Sequence, residues 1–371
     1  MESNRKKILL LAPPNSIHTI KWANELYSKG FNITVYGINS NQNSKYLPGI
    51  EIFSYTISDK LAEGKYGTIT KILYVLCLPN LIQVVKKIKP DIIHAHYASS
   101  YGLLGTFLRF KPFIVSVWGA DVFSFPDQSF LHRSLLRFVF SRADRILSTS
   151  EFMKERCKLF TSKEINVTPF GVDLKTFDKI NDLQKTDETI IGTIKALEPQ
   201  YGVEFLIKAF KIIVDKYPLE PFKLLIVGKG YLENDLKNLT IELGIANKTV
   251  FTGFIAYEEI PIYHNLIDIF VAVSVLDDES FGVAVVEAQA CYTPVIVSDA
   301  GGLSEVVEKG KSGFVVPKKK AEATAEAIEK LLFNKELRNE FGNNGRLKAE
   351  KFYELHYTIE CMINIYKEIL N

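Results

Sequence analysis

The sequence predicts an α/β protein of two Rossmann-like domains, each built on a parallel sheet, facing each other across a cleft. Three observations carry that expectation. Short β-branched runs alternate with longer helical patterns from end to end, which is the signature of βαβ units. The alternation is broken once, by a polar stretch from Val172-Asp173 to about Glu188, and then resumes. The chain has 371 residues, more than one ordinary core accommodates at roughly 150 residues per domain.

In the first half, strands are expected at Ile8–Ala12, Ile33–Ile38, Asp91–His96, Phe113–Val117 and Arg145–Thr149. Helical patterns lie between them, such as Thr19–Lys29, which runs into Gly30 where a helix stop is expected. The second series has strands at Thr189–Ile194, Leu224–Val227, Val250–Thr252, Ile269–Val273, Val295–Ser298 and Gly313–Val316. The expected domains are residues 1–180 and 187–351, with the polar stretch as linker and a closing helix at about 352–371 that packs back on the first domain. Open sheets of this kind bind ligands at the carboxyl ends of their strands.

Composition excludes several classes. Hydrophobic residues make up 47% and charged residues 24%, as in soluble globular proteins. A formal net charge of +2 gives no basis for nucleic-acid binding. Cys77, Cys157, Cys291 and Cys361 are scattered and form no CxxC pair, so a reducing, cytoplasmic setting is expected. The N-terminal run before Pro13-Pro14 is too short for a signal peptide, and Ile69 to Ile88 is interrupted by Lys71, Pro79, Asn80 and Gln83, too often for a membrane span. Lys318-Lys319-Lys320 reads as a solvated helix start.

The clearest local mark is Glu279-Ser-Phe-Gly-Val-Ala-Val-Val-Glu287. Ile269–Ser274 reads as a buried strand, Val275–Ser280 as a polar loop, and Phe281–Cys291 as a helix. A helix N-terminus offers unmet N–H groups and the positive end of its dipole, so the loop before Gly282 is a candidate phosphate seat. Were both glutamates helical, they would stand roughly 12 Å apart along the axis. That is too far to grip one atom, and wider than the pair of a glycosidase, about 5–9.5 Å. One carboxylate at the mouth can take sugar hydroxyls and the other a ribose diol.

With its surroundings the segment strongly resembles the large family of retaining GT-B glycosyltransferases of the Glu-x7-Glu type, glycosyltransferase family 4. The resemblance covers essentially the whole chain. In the first half it rests on Trp22-Ala-Asn-Glu-Leu, Pro90-Asp-Ile-Ile-His-Ala-His96, Trp118-Gly-Ala-Asp121, Ser141-Arg-Ala-Asp144 and Gly171-Val-Asp173. In the second half it rests on Leu197-Glu-Pro-Gln-Tyr-Gly202, Leu225-Ile-Val-Gly-Lys-Gly230, Val250-Phe-Thr-Gly253 and the glutamate block through Gly313-Phe-Val-Val-Pro317.

The resemblance implies GT-B architecture and transfer of a sugar from a nucleotide-diphosphate sugar, such as a UDP- or GDP-sugar, to a glycan or lipid-linked acceptor with retention. The donor is a substrate, and no cofactor or metal is implied. Glu287 corresponds to the glutamate on the donor ribose, and Glu279 to the one near the reacting carbon. Ser280 and the backbone of Phe281, Gly282 and Val283 are donor-binding by the same carry-over, as are Gly228, Tyr201, Gly253 and Phe254, the last two in the nucleobase loop. Departures accompany this. Ala196 and Tyr201 stand where the family usually has an arginine and a lysine on the diphosphate, so Lys195 is the expected replacement cation. Tyr292 replaces a common glycine, and Phe170 a common asparagine.

On the acceptor side, Trp118 stands where relatives often have a histidine and retains a carbonyl and a stacking face. Asp121 is expected either to accept from the acceptor, as a third catalytic residue beside Glu279 and Lys195, or to cap a helix. His18 is a candidate acceptor contact. His96 and His94 face one side of a strand end near the cleft, and no third metal ligand accompanies them. The basic stretch Phe130 to Ile146, with His132, Arg133, Arg137, Arg142 and Arg145, reads as a solvated face, with peripheral contact to anionic lipid or a phosphorylated acceptor as the alternative. Two rival functions are a nicotinamide dehydrogenase, which Gly228-Lys-Gly230 does not support for want of a third glycine, and a non-catalytic sugar-nucleotide binder.

Overall fold

The structure, a computed structural model, describes residues 5–39, 45–56, 74–184 and 187–371. The first four residues of the N-terminal run, residues 69–73 of the interrupted apolar stretch and residues 185–186 of the polar stretch lie outside them. The chain divides into two compact units, Met1–Phe170 with His356–Asn371, and Gly171–Leu355.

The first unit holds seven strands: β1 Lys7–Leu11, β2 Asn32–Ile38, β3 Glu51–Tyr55, β4 Ile92–His96, β5 Phe113–Ser116, β6 Arg145–Ser148 and β7 Ile165–Val167. They form one parallel sheet in the order β3-β2-β1-β4-β5-β6-β7. β1 reads as a continuous apolar run because helices cover both faces of the sheet, and Ile8, Leu9, Leu10 and Leu11 are all wholly buried. β3 and β7 were not anticipated. Both lie at sheet edges, where burial enforces no apolar run; β3 leaves Glu51 and Ser54 exposed, and β7 has only three residues.

The first predicted helix forms as Ile17–Ser28, and Gly30 follows at φ +94, the left-handed geometry that ends a helix. The closing helix Leu355–Leu370 belongs to this unit from His356 on. It buries Ile359, Met362, Ile363 and Tyr366, and Glu360 accepts from Lys29 at 2.6 Å. Among the described residues no helix is long and apolar enough to cross a membrane.

The second unit holds β8 Thr189–Ile194, β9 Phe222–Val227, β10 Thr249–Gly253, β11 Ile269–Ala272, β12 Val295–Ser298 and β13 Gly313–Val316. These pair in parallel in the order β10-β9-β8-β11-β12-β13. The helix Val203–Lys216 lays Leu206, Ile207, Phe210 and Ile213 on this sheet at helical spacing, worth about 2 kcal/mol for each buried side chain. Residues 171–178 are fixed within this unit: Phe177 is wholly buried, and Arg346 Nη1 donates to its carbonyl at 3.0 Å.

Strand order reverses between β1 and β4 in the first sheet and between β8 and β11 in the second. At such a point the loops leaving adjacent strands diverge and open a crevice at the carboxyl edge. In the second unit those loops carry Lys195 and Glu279. In the first stand His18, in the opening turn of the helix that follows β1 rather than in the expected loop, and the turn that follows His96.

Candidate functional site

Lys195 is the first residue beyond β8, held by its own N–H donating to the carbonyl of Val227 at 2.9 Å. Gly228 passes so close that a Cβ there would stand 1.9 Å from the carbonyl oxygen of Lys195, so only glycine fits. The Lys195 ammonium forms an ion pair with Glu279 and lies 4.2 Å from the centre of the Tyr201 ring. Burial, the largest single influence, opposes its charge, but Glu279, Tyr201 and Glu287 together outweigh it, and the lysine pKa is raised. Lys195 is therefore a cation at neutral pH, set against a carboxylate and an aromatic face.

Glu279 sits in the loop between β11 and the next helix. That helix begins at Val283, with Gly282 as its cap at φ +89, rather than at the expected Phe281. The rise of a continuous helix therefore does not set the distance between the two glutamates. No side chain caps this helix start, so its first N–H groups are directed at the loop end. Ser280 and Phe281 are buried, and Phe281 stands edge-on to Tyr353 at 5.2 Å.

A second loop locks the first. Gly302 N–H donates to the carbonyl of Glu279 at 2.8 Å, and Asp277 Oδ1 accepts from Gly301 N–H at 3.0 Å and from Lys318 Nζ at 2.7 Å. A Cβ on Gly301 would lie 2.2 Å from the carbonyl oxygen of Glu279, and one on Gly302 equally close to that of Ser280. The double glycine lets two backbones touch where the Glu279 carboxylate is presented. Lys318 is thus a loop tie and not simply part of a solvated basic run. Lys318 draws the Asp277 carboxyl below its ordinary value against the opposing effect of burial.

Glu287 lies within the helix Val283–Ala290 and is 5% exposed. Tyr257 Oη donates to its Oε1 at 3.1 Å, and His264 Nε2 lies 3.6 Å from its Oε2. Burial, with the Glu287 charge adding to it, raises the Tyr257 phenol, which stays protonated and donates. Neither residue was singled out from the sequence, because thirty and twenty-three positions separate them from Glu287 and no local pattern links them. At the end of β10, Gly253 adopts φ +73 and the following Phe254 is 78% exposed.

In the first unit the carboxyl edge of the sheet is aromatic. His18 stacks on Phe170 with ring centres 4.2 Å apart, and Trp118 stands edge-on to Phe170 at 5.3 Å. His96 lies 4.7 Å from Trp118 and Tyr97 4.9 Å. His96 is wholly buried with no protein partner on either ring nitrogen, and burial, assisted by nearby His18, lowers its pKa to about 3, so it is neutral. His94 is spent internally, within 2.7 Å of both Tyr366 Oη and Ser116 Oγ. Asp121 is 1% exposed, and its carboxylate accepts the N–H groups of Ala98, Trp118 and Gly119 at 2.8, 3.1 and 2.9 Å. Burial raises its pKa and those hydrogen bonds counter the rise. Asp121 fastens the Trp118 loop to the π-helical turn Tyr97–Gly102, whose first residue holds φ +66.

Two departures noted in the sequence have structural explanations. Phe170 supplies the ring on which His18 stacks. Tyr292 takes the left-handed φ of +61 that the commoner glycine adopts freely, and Arg346 lies over its ring at 5.3 Å.

Comparison with known proteins places these features in a family. The glycosyl transferase 4-like model matches residues 7–150, and the glycosyl transferases group 1 model matches residues 175–348. An uncharacterized glycosyltransferase of Methanocaldococcus jannaschii is 27% identical over 75% of each chain. The capsular polysaccharide biosynthesis glycosyltransferase CapM of Staphylococcus aureus is 29% identical, covering 79% of this chain and 80% of that one. Sucrose-phosphate synthase from Thermosynechococcus elongatus superposes with a TM-score of 0.80 at 21% identity, covering 98% of this chain and 99% of that one. Anabaena HepE in complex with UDP and glucose does so with a TM-score of 0.81 at 18% identity, covering 98% and 100%. With both halves matched and the fold shared over its length, the chain belongs to the GT-B glycosyltransferases of the group 1 and 4-like family.

Proposed function

We propose that the protein transfers a sugar from a nucleoside-diphosphate sugar to a glycan or lipid-linked acceptor, with retention, in the synthesis of a cell-surface polysaccharide or glycoconjugate. The observation that carries this reading is the protonated Lys195 set against Glu279 at the point where the second sheet reverses. A leaving diphosphate develops negative charge as the sugar–oxygen bond breaks. Lys195 and the uncapped helix start at Gly282 are the groups suited to stabilise it. Tyr201, which replaces a cation of the family pattern, instead holds Lys195 by its ring face.

In the proposed step the bond from C1 of the sugar to the diphosphate oxygen breaks and a bond from C1 to the acceptor oxygen forms on the same face. The acceptor proton passes to the departing diphosphate, so no enzyme carboxylate becomes attached to the sugar. Glu279 orients the sugar through its hydroxyls and Glu287 holds the ribose. The acceptor is assigned to the aromatic edge of the first unit, where the partly exposed His18 is backed by the buried rings of Phe170 and Trp118. Asp121 supports that edge from beneath.

The names of several relatives agree with this class. CapM is a capsular polysaccharide glycosyltransferase, and a phosphatidylinositol monomannoside mannosyltransferase of Mycolicibacterium smegmatis, 31% identical over 54% of this chain, is GDP-mannose-dependent. A cytoplasmic setting is proposed from the scattered cysteines, and the helix Phe130–Arg142, with exposed Phe130 and Leu131 beside Arg133 and Arg137, supports peripheral contact with an anionic membrane face. Transfer is proposed to need no divalent ion, and EDTA should leave turnover intact. UDP-, GDP- and ADP-sugars screened by thermal unfolding identify the donor. One of them should stabilise the fold by about 2.7 kcal/mol at a hundredfold its dissociation constant. Nucleotide release that depends on acceptor then establishes transfer, and stabilisation by none of the three would refute the donor class.

A further inference from the structure

We propose that Tyr257 and His264 are positioning residues that hold the Glu287 carboxylate so that it receives a ribose diol and discriminates against a deoxyribose. The proposal rests on the reading of Glu287 as the ribose carboxylate and adds two residues to it. An ionised carboxylate has about four lone-pair sites, two on each oxygen. The Tyr257 hydroxyl donates to Oε1 at 3.1 Å, and His264 Nε2 faces Oε2 at 3.6 Å. Tyr257 thus binds one carboxylate oxygen and His264 faces the other, so the two set the orientation in which the carboxylate meets the ribose hydroxyls.

His264 supports this reading by being otherwise unemployed. It is wholly buried, and neither ring nitrogen has a hydrogen-bond partner, although Nε2 is directed at Glu287. A buried donor left unmet costs on the order of 1–3 kcal/mol, so a slight closing of the 3.6 Å gap as Glu287 takes up the diol would satisfy it. The apolar packing confirms that the pair is held and not incidental. Phe177 lies 5.7 Å from Tyr257 and 5.9 Å from His264, and Phe270 lies 5.3 Å from His264. Two rings, Phe177 and Phe270, thus fix the two groups that flank one carboxylate.

The experiment measures binding of UDP, GDP and ADP and of their 2′-deoxy counterparts to the full-length protein by calorimetry, using the nucleotide that the wild type binds best. The wild type should prefer the ribonucleotide by about tenfold, the worth of one hydrogen bond to a charged group. Tyr257→Phe and His264→Leu should each reduce that preference to about two- to threefold, and His264→Gln, which keeps a donor near the position of Nε2, should restore it. Thermal unfolding confirms that each variant folds, and binding of the 2′-deoxynucleotide should be nearly unchanged in all three, which a merely structural defect would not allow. If Glu287→Ala keeps the full preference, or if the wild type binds none of the three, the ribose reading falls and the proposal with it. If Glu287→Ala loses the preference while Tyr257→Phe and His264→Leu keep it, the ribose reading stands and the proposal alone is overturned.

Discussion

The two sheets of this protein reverse at equivalent points, yet the edges they present are chemically opposite. The edge of the second unit is charged and its charges are set against one another, with Lys195 on Glu279 and Lys318 on Asp277. The edge of the first unit is aromatic, and its ionisable groups are neutralised or spent, with His96 kept neutral by burial and Asp121 consumed by three backbone N–H groups. The proposed function assigns the two edges different recognition tasks. A charged edge suits a diphosphate, and an uncharged aromatic edge suits the apolar face of a sugar ring.

The contrast can be broken by substitution. The largest effect is expected from Lys195→Ala, which removes the cation beside the leaving group and should lower kcat by about 10²- to 10³-fold in a donor-saturated turnover assay. Next comes Gly301→Val, whose side chain would drive into the carbonyl oxygen of Glu279; steady-state assays should show loss of turnover with the first unit still folded. His18→Ala, on the aromatic edge, should raise KM for the acceptor by about fivefold and leave nucleotide affinity unchanged by calorimetry. Tyr366→Phe removes the hydroxyl beside His94 Nδ1, and thermal unfolding should register a loss of about 1–2 kcal/mol with donor binding intact.

The smallest effect concerns pH. The folded pKa of Asp277 is below its ordinary value, so the Asp277–Lys318 tie contributes above that value, about 3.9, and is lost as pH falls through the lower folded value. Asp277→Asn should flatten that part of the stability profile. Because both side chains are partly exposed, the change at neutral pH should stay within about 1 kcal/mol.

Much of this was legible in the sequence, for identifiable reasons. The central strands β1 and β12 are buried on both faces and leave nearly continuous apolar runs, whereas β3 and β7, at the edges, leave none. Lys195 was legible because a diphosphate needs a cation near the first loop of the second half and the usual positions hold Ala196 and Tyr201. Its pairing with Glu279 was not, since eighty-four positions separate them and only the strand order joins them. Tyr257 and His264 were invisible for the same reason. Asp121 was open between acceptor contact and capping, and burial shows that it binds backbone. That depends on how the turn after His96 folds, which a single sequence does not encode locally.

The division of labour between the two glutamates is open to one kinetic comparison. Donor and acceptor kinetics of Glu287→Ala and Glu279→Ala should separate, the first raising KM for the nucleotide-sugar with kcat largely kept, the second lowering kcat with donor KM largely kept. Wild-type kinetics in both variants, or the same parameter lost in both, would contradict the assignment of a nucleotide anchor to Glu287 and a sugar contact to Glu279.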